Sequence, residues 1–242
     1  YGHSDYLSSL EGYGSLHEFW AGYGFMIIQT THLRSKSLGI GLGLDSLNCG
    51  DMFLDSRAQD LDAVPLLKGR LDRIRISDAG HSLGAMTASV LLGMKNTDPR
   101  DGTTTQIVDK RIRIRVLVGA TGGGGSDLSE AEKKLVALYG PDFCEMRTPA
   151  LIGWGEDTSS HLTIRDAGRR RDPHTFSPGP KDSLMVKGGK HVFGGISGWD
   201  AGETLDESPD RLAVVQRMTL AYLRSQLCDG DKFWLEACGW TK

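Results

Sequence analysis

Ser82 sits in the pentapeptide Gly80-His81-Ser82-Leu83-Gly84, a G-x-S-x-G pattern, and its hydroxyl is a candidate nucleophile. The flanks give the pattern meaning. Residues 73–77 (RIRIS) alternate at period two, as a half-buried strand does, and residues 85–92 (AMTASVLL) suit a buried helix. Strand, tight glycine-flanked turn and helix are the context of a nucleophile elbow, in which the serine is lifted clear of the sheet on a strained backbone. Gly80 and Gly84 leave room where a Cβ would strike the neighbouring strand or helix. The helix that follows offers the positive end of its dipole to developing negative charge.

A serine hydroxyl is a poor nucleophile until a base takes its proton, and the base needs an orienting acid. With an elbow of this kind the chain order is serine, acid, histidine. Residues 149–154 (PALIGW) read as a short buried strand running into Gly155-Glu156-Asp157-Thr158-Ser159. An acid just past a strand end lies on the same sheet edge as the elbow. Asp157 is the candidate acid and Glu156 its competitor, one residue of loop geometry deciding between them. Residues 183–186 read as the next strand, followed by the glycine-rich loop 187–195 that carries His191, the candidate base. Asp157 beside His191 is expected to raise its pKa, so activity should fall on the acid side near pH ~6–7. The amide of Leu83, next after the nucleophile, is the first candidate oxyanion donor. The second is expected from the opening loop, at His3 or Ser4.

GHSLG, the WGEDTS turn and the KHVFG turn together resemble the three catalytic loops of the α/β-hydrolase superfamily. The nearer resemblance is to carboxylesterases of the dienelactone-hydrolase, chlorophyllase, cutinase-like polyester hydrolase and platelet-activating-factor acetylhydrolase groups. Residues 16–29 (LHEFWAGYGFMIIQ) look like their helix-to-strand passage, and residues 56–61 (SRAQDL) like the helix before their elbow. The resemblance implies an α/β fold with a mostly parallel central sheet and helices on both faces. It also implies a serine carboxylic-ester hydrolase that works through a covalent acyl-enzyme, without metal or organic cofactor. Dienelactone hydrolases proper use cysteine where this chain has Ser82. These families also place two or three strands ahead of the opening loop, and another between the 25–30 strand and the elbow strand. The resemblance therefore implies that N-terminal strands are missing from the sequence as it stands and that residues precede Tyr1.

The chain has 242 residues, 39% hydrophobic content and a net charge of −3, which suits one α/β domain over residues 1–242 with a sizeable core. That charge makes no electrostatic case for nucleic acid or an anionic membrane, and no apolar run approaches the ~20 residues that span a bilayer. Cys49, Cys144, Cys228 and Cys238 show no C-x-x-C spacing, which argues against a structural zinc site. Cys228 and Cys238 flank a short C-terminal segment and could bridge, as cutinase-like hydrolases often do near the C-terminus; the alternative is four reduced thiols in a cytosolic enzyme. The resemblance and this pair favour a secreted over a cytoplasmic protein.

The elements that must position these residues read as follows. A helix covers about 12–21, a strand 25–30, a helix 56–67, and then come the elbow strand and its helix. A strand at 113–119 precedes the turn 121–126 (TGGGGS), which lacks the Lys-Ser/Thr of a phosphate loop. A helix at 129–139 opens on a capping box of Ser129 and Glu132. Pro209 opens the last helix, 210–227, whose apolar stripe is Leu212, Val215, Met218, Tyr222 and Leu223. Two polar, loop-like segments, 95–110 and 160–180, are placed to shape a pocket. The second carries Arg169, Arg170 and Arg171, which read as a solvated face or as a lure for an anionic substrate. The partner is a small-molecule or polymeric ester. The same triad would serve a peptidase, a thioesterase or an acyltransferase, and the same fold a non-catalytic ligand-binding protein.

Overall fold

A computed structural model describes residues 12–29, 65, 70, 72, 74–97, 102–127, 129–130, 140–157, 167–198 and 206–239. Four strands pair in parallel in the order β1 (Ile76–His81), β4 (Ile112–Val118), β6 (Ala150–Gly155) and β7 (Lys181–Val186). Their registers run without a break from Ser77–Ile114 to His81–Val118, from Arg115–Ala150 to Val118–Gly153, and from Ala150–Lys181 to Gly155–Val186. Parallel strands need crossovers, and crossovers place helices on the sheet faces, which is why such strands are apolar on both sides.

Alternation along the strands sorts the core into two layers. Ile114, Val116 and Val118 of β4 and Leu151 of β6 face helices α1 (Gly14–Gly22) and α4 (Pro209–Leu227), against Leu16, Trp20, Val215 and Tyr222. Leu117 of β4 and Ala150 and Ile152 of β6 face the other way, onto α2 (Leu83–Leu91), with Ala85, Ala88 and Phe143. The stripe read from the last helix is the face that packs: Val215, Tyr222 and Leu223 are buried, and Leu212 and Met218 are partly so. Arg115 lies in β4 with no exposed surface. It pairs with Asp78 of β1 and donates to the carbonyl of Ala88 at 2.8 Å. A buried charge needs this kind of pairing and costs stability when one partner is lost.

The structure differs from the sequence reading in five places. The elbow strand runs from Ile76 to His81, three residues later than expected. Asp72 accepts the amide of Ile74 at 3.1 Å and folds the preceding residues into a turn, leaving Ile74 72% exposed. Residues 25–29 form no strand; Phe25 and Ile27 reach the core from irregular backbone, so that apolar run reflects packing. The 95–110 segment is not all loop: β2 (Lys95–Thr97) pairs antiparallel with β3 (Thr104–Thr105) and with β5 (Pro141–Asp142). The 160–180 segment holds a 3-10 turn, Ala167–Arg171, and the short helix α3 (Asp172–Phe176). A last short helix, α5 (Phe233–Ala237), packs on α4. Of the helix expected at 56–67 only Pro65 is among the described residues, and residues 131–139 lie outside them, as do His3, Ser4 and Cys49. Cys144, Cys228 and Cys238 are free thiols, so the implied Cys228–Cys238 bridge is not formed.

Candidate active site

All the candidate groups of the described residues follow the C-terminal ends of parallel strands: Ser82 after β1, Asp157 after β6 and His191 after β7. Ser82 is the residue between β1 and α2, with φ 56° and ψ −120°. That region is sparsely populated for a non-glycine residue and persists only where the surroundings over-determine it. They do so here. A Cβ on Gly80 would lie 2.3 Å from the carbonyl oxygen of Gly84, so the strand end and the first turn of α2 touch backbone to backbone. The Ser82 amide donates to Val118 of β4 at 3.0 Å, and its carbonyl accepts from Met86 at 3.2 Å. Leu83 is the first residue of α2, where helix amides have no partner within the helix.

The loop after β7 brings His191 back over this turn. Its Nε2 stands 2.9 Å from Ser82 Oγ. The loop is tied at several points. Asp206, buried at the approach to α4, accepts from the amides of Lys190 at 2.9 Å and Gly194 at 3.3 Å, and pairs with Arg211 at 2.6 Å. The Ser208 amide donates to the carbonyl of Gly194 at 3.1 Å. His81, fully buried, has its Nδ1 2.7 Å from the Tyr13 hydroxyl and its Nε2 2.9 Å from the backbone oxygen of His191. Both of its nitrogens are therefore engaged away from Ser82.

Asp157 and Glu156 form the exposed turn after β6. This turn touches the histidine loop through its backbone and through Glu156. The Asp157 amide donates to Gly189 at 2.9 Å, and the Glu156 carboxylate accepts from the Gly188 amide at 3.1 Å. The Asp157 carboxylate makes no hydrogen bond to His191. Among the described residues, His191 Nδ1 is buried without a hydrogen-bond partner. The structure thus brings Ser82 and His191 together and leaves Asp157 one loop away from the imidazole it was expected to orient.

The electrostatics differ from expectation for a related reason. Burial of the His191 ring, then the positive charge of Arg170, then His81 and Arg169, hold its pKa well below the ordinary imidazole value rather than above it. His81 is pushed down to about 4, again first by burial. Arg169 and Arg170 are buried, which a run of three arginines did not announce. Arg170 donates from Nη1 to the carbonyls of Gly119 at 2.8 Å and Ala120 at 3.0 Å, at the end of β4. Arg171 keeps the surface character expected of the run and lies over the Trp154 ring, 5.3 Å from its centroid. Asp172, also buried, accepts from the Gly123 amide at 2.7 Å and orders the glycine-rich turn after β4. Tyr13 and Asp206 went unread, and Arg170 was read only as surface charge or substrate lure, because nothing in their spacing links them to the pentapeptide; only the fold brings them there.

Among the described residues no cluster of His, Cys, Asp and Glu could hold a metal ion, and no helix is long and apolar enough to cross a membrane. No protein-family model and no curated protein sequence matches the chain. Solved structures do. A dienelactone hydrolase from Anabaena variabilis superposes with a TM-score of 0.54 at 14% identity, over 93% of this chain and 84% of that one. A truncated carbohydrate esterase from gut microbiota superposes with a TM-score of 0.52 at 13% identity, over 86% of this chain and 78% of that one. With four parallel strands, helices on both faces and a serine at the strand-to-helix turn, these likenesses show that the chain has the α/β-hydrolase fold.

Proposed function

We propose that this protein is a serine carboxylic-ester hydrolase with Ser82 as nucleophile and His191 as base. The observation that carries the reading is the 2.9 Å approach of His191 Nε2 to a serine hydroxyl on a strained strand-to-helix turn. A fold alone hosts many activities; this pair of groups is what argues for acyl transfer. The names of the two structural neighbours, a dienelactone hydrolase and a carbohydrate esterase, support esters as the substrate class.

In the proposed cycle His191 takes the hydroxyl proton as Ser82 Oγ attacks the ester carbonyl. The resulting oxyanion is met by the Leu83 amide at the N-terminus of α2 and by a second amide from the opening loop, at His3 or Ser4. The imidazolium then protonates the leaving alcohol as the carbon–oxygen bond breaks, which leaves Ser82 acylated. Water, deprotonated by the same His191, attacks the acyl carbonyl and releases the carboxylic acid with Ser82 restored. Asp157 is the acid proposed to orient His191. Its support is its place after β6 and its amide bond to the histidine loop. The low pKa of His191 keeps the base neutral and ready well into mildly acidic solution. The substrate is a small-molecule or polymeric ester, and neither a metal nor an organic cofactor enters the cycle.

A fluorophosphonate probe tests the assignment, because it reacts with an activated serine. Stoichiometric labelling of Ser82, with loss of p-nitrophenyl ester turnover, is the expected result. A folded sample that hydrolyses esters while another residue carries the label would refute it. Turnover of aminoacyl amides or thioesters in preference to oxygen esters would move the protein to a peptidase or thioesterase.

A further inference from the structure

His81 adjoins the candidate nucleophile, yet the proposed cycle does not use its imidazole. Its bonding is directional. The oxygen of His191 can only accept, so the proton of His81 resides on Nε2. Nδ1 is then an acceptor, and the hydroxyl of Tyr13 donates to it. A one-way chain of donors thus runs from Tyr13, the residue that caps the N-terminus of α1, through a neutral His81, to the backbone of the base.

The ring sits in a closed cage. Tyr13, His81 and Phe193 have no exposed surface. The His81 and His191 rings lie 4.7 Å apart between centroids, and Phe193 meets His81 edge-on at 6.2 Å. A Cβ on Gly119 would come within 3.2 Å of Phe193 and 3.3 Å of both imidazoles, so the end of β4 is a common floor for the three rings. Backbone strain gathers at the same place. Among the described residues the non-glycine positions with positive φ are Tyr13 (58°), Ser82 (56°) and Phe193 (52°). Tyr13 bonds His81, Ser82 follows it in sequence and Phe193 packs on it. Conformations of this kind are unfavourable and persist where contacts over-determine them.

We propose that His81, held by Tyr13, is a positioning residue: it pins the backbone of His191 so that Nε2 meets Ser82, and it does so without a charge. The proposal rests on the reading of Ser82 and His191 given above. Neutrality matters because the cycle makes an imidazolium of His191, which the buried Arg169 and Arg170 already oppose, and a further cation one ring away would add to that opposition. A lysine or arginine would supply the same donor to the His191 carbonyl but would bring that charge. A neutral imidazole, with each nitrogen already paired, supplies the donor alone.

The test compares His81→Ala, His81→Gln and Tyr13→Phe with the unmodified protein. Each is assayed for kcat and KM on p-nitrophenyl acetate and for the rate of fluorophosphonate labelling. The amide nitrogen of glutamine reaches the region of Nε2 and restores a neutral donor. His81→Ala should lower kcat and the labelling rate together by about a hundredfold, the rate equivalent of roughly two hydrogen bonds. His81→Gln should recover about tenfold of that, Tyr13→Phe should lose about tenfold, and KM should stay within about twofold throughout. A folded His81→Ala protein labelled at the unmodified rate would overturn the proposal. So would equal loss in His81→Ala and His81→Gln, or a loss confined to KM. If His81→Ala does not fold, Tyr13→Phe decides, and full kcat in that variant overturns the proposal. Failure of the unmodified protein to label at Ser82 is a different result: it removes the nucleophile assignment itself, and the positioning role with it.

Discussion

The loops that follow β7 and β6 end at the same sheet edge and are built in opposite ways. The His191 loop is held from beneath by His81, from outside by the buried carboxylate of Asp206 on two of its amides, and at Gly194 by Ser208. The Glu156–Asp157 turn is exposed, held by two backbone bonds, from Glu156 to Val186 and from Asp157 to Gly189, and by one solvent-facing side-chain bond, with no buried carboxylate or ring on it among the described residues. A side chain goes where buried partners leave it no alternative, and an exposed carboxylate has many. That is why the base stands at hydrogen-bond distance from Ser82 while the proposed acid does not touch the base.

Removal of the nucleophile is the sharpest way to break the well-held half of the site. Ser82→Ala should lower kcat by several orders of magnitude, on the order of 10⁶ by analogy with a serine protease that loses its nucleophile. The melting temperature should hold, because alanine fits the space. A folded Ser82→Ala protein that retains a tenth of its ester turnover would put the chemistry elsewhere.

The poorly held half is tested next. Asp157→Asn should cost on the order of 10⁴ in kcat if Asp157 sets the His191 tautomer in the working enzyme. Glu156→Gln should change kcat by less than about threefold, since an exposed carboxylate at this distance acts through screened charge. Parity between the two would mean that His191 works without an acid from the β6 turn, as its unpartnered Nδ1 stands in this structure.

The buried histidines make a pH prediction of intermediate size. Both imidazoles are neutral in the fold with pKa values below the ordinary 6.5, so between those values the unfolded chain binds more protons than the native one. The stability they contribute is complete above pH 6.5 and is lost as pH falls toward about 4, the value reached by His81. For His81 alone the loss is on the order of 3 kcal/mol. Denaturant melts at pH 7 and pH 4.5 should show the drop, and it should shrink in His81→Gln. The acid limb of kcat/KM should likewise lie below the usual imidazole range, not near neutrality as a carboxylate-paired histidine would place it. An activity limb at pH 7 would mean that an acid reaches His191 in solution and raises its pKa.

The smallest effect concerns the outer clamp. Asp206→Asn keeps the shape and removes the charge that draws two amides and Arg211 together. Charge-assisted bonds of this kind are worth about 1.5–3 kcal/mol. The variant should melt earlier and lose roughly tenfold in kcat as the histidine turn loosens. Unchanged kcat with a lowered melting point would confine Asp206 to stability and leave the inner contact from His81 as the one that holds the base.

Sequence alone reached the elements whose periodicity reports burial. The strands at β4, β6 and β7 and the last helix came within a residue or two of their places, because buried ladders and an amphipathic stripe write themselves into hydrophobic spacing. The pentapeptide at Ser82 and the histidine after the last strand were legible for the same reason: each follows a readable strand, and parallel strands gather their C-terminal ends on one edge. Tertiary structure decided the rest. Ile74 reads as strand but belongs to a turn, and Phe25 and Ile27 reach the core from irregular backbone, because local alternation reports burial and not backbone conformation. Arg169 and Arg170 read as surface and are buried beside His191, and Tyr13, 178 positions before it, bonds the imidazole that bonds its carbonyl. The side-chain types that do chemistry were local and could be read from the chain; the field and the scaffold that set their pKa and hold them in place are made of contacts between distant residues, which only the fold creates.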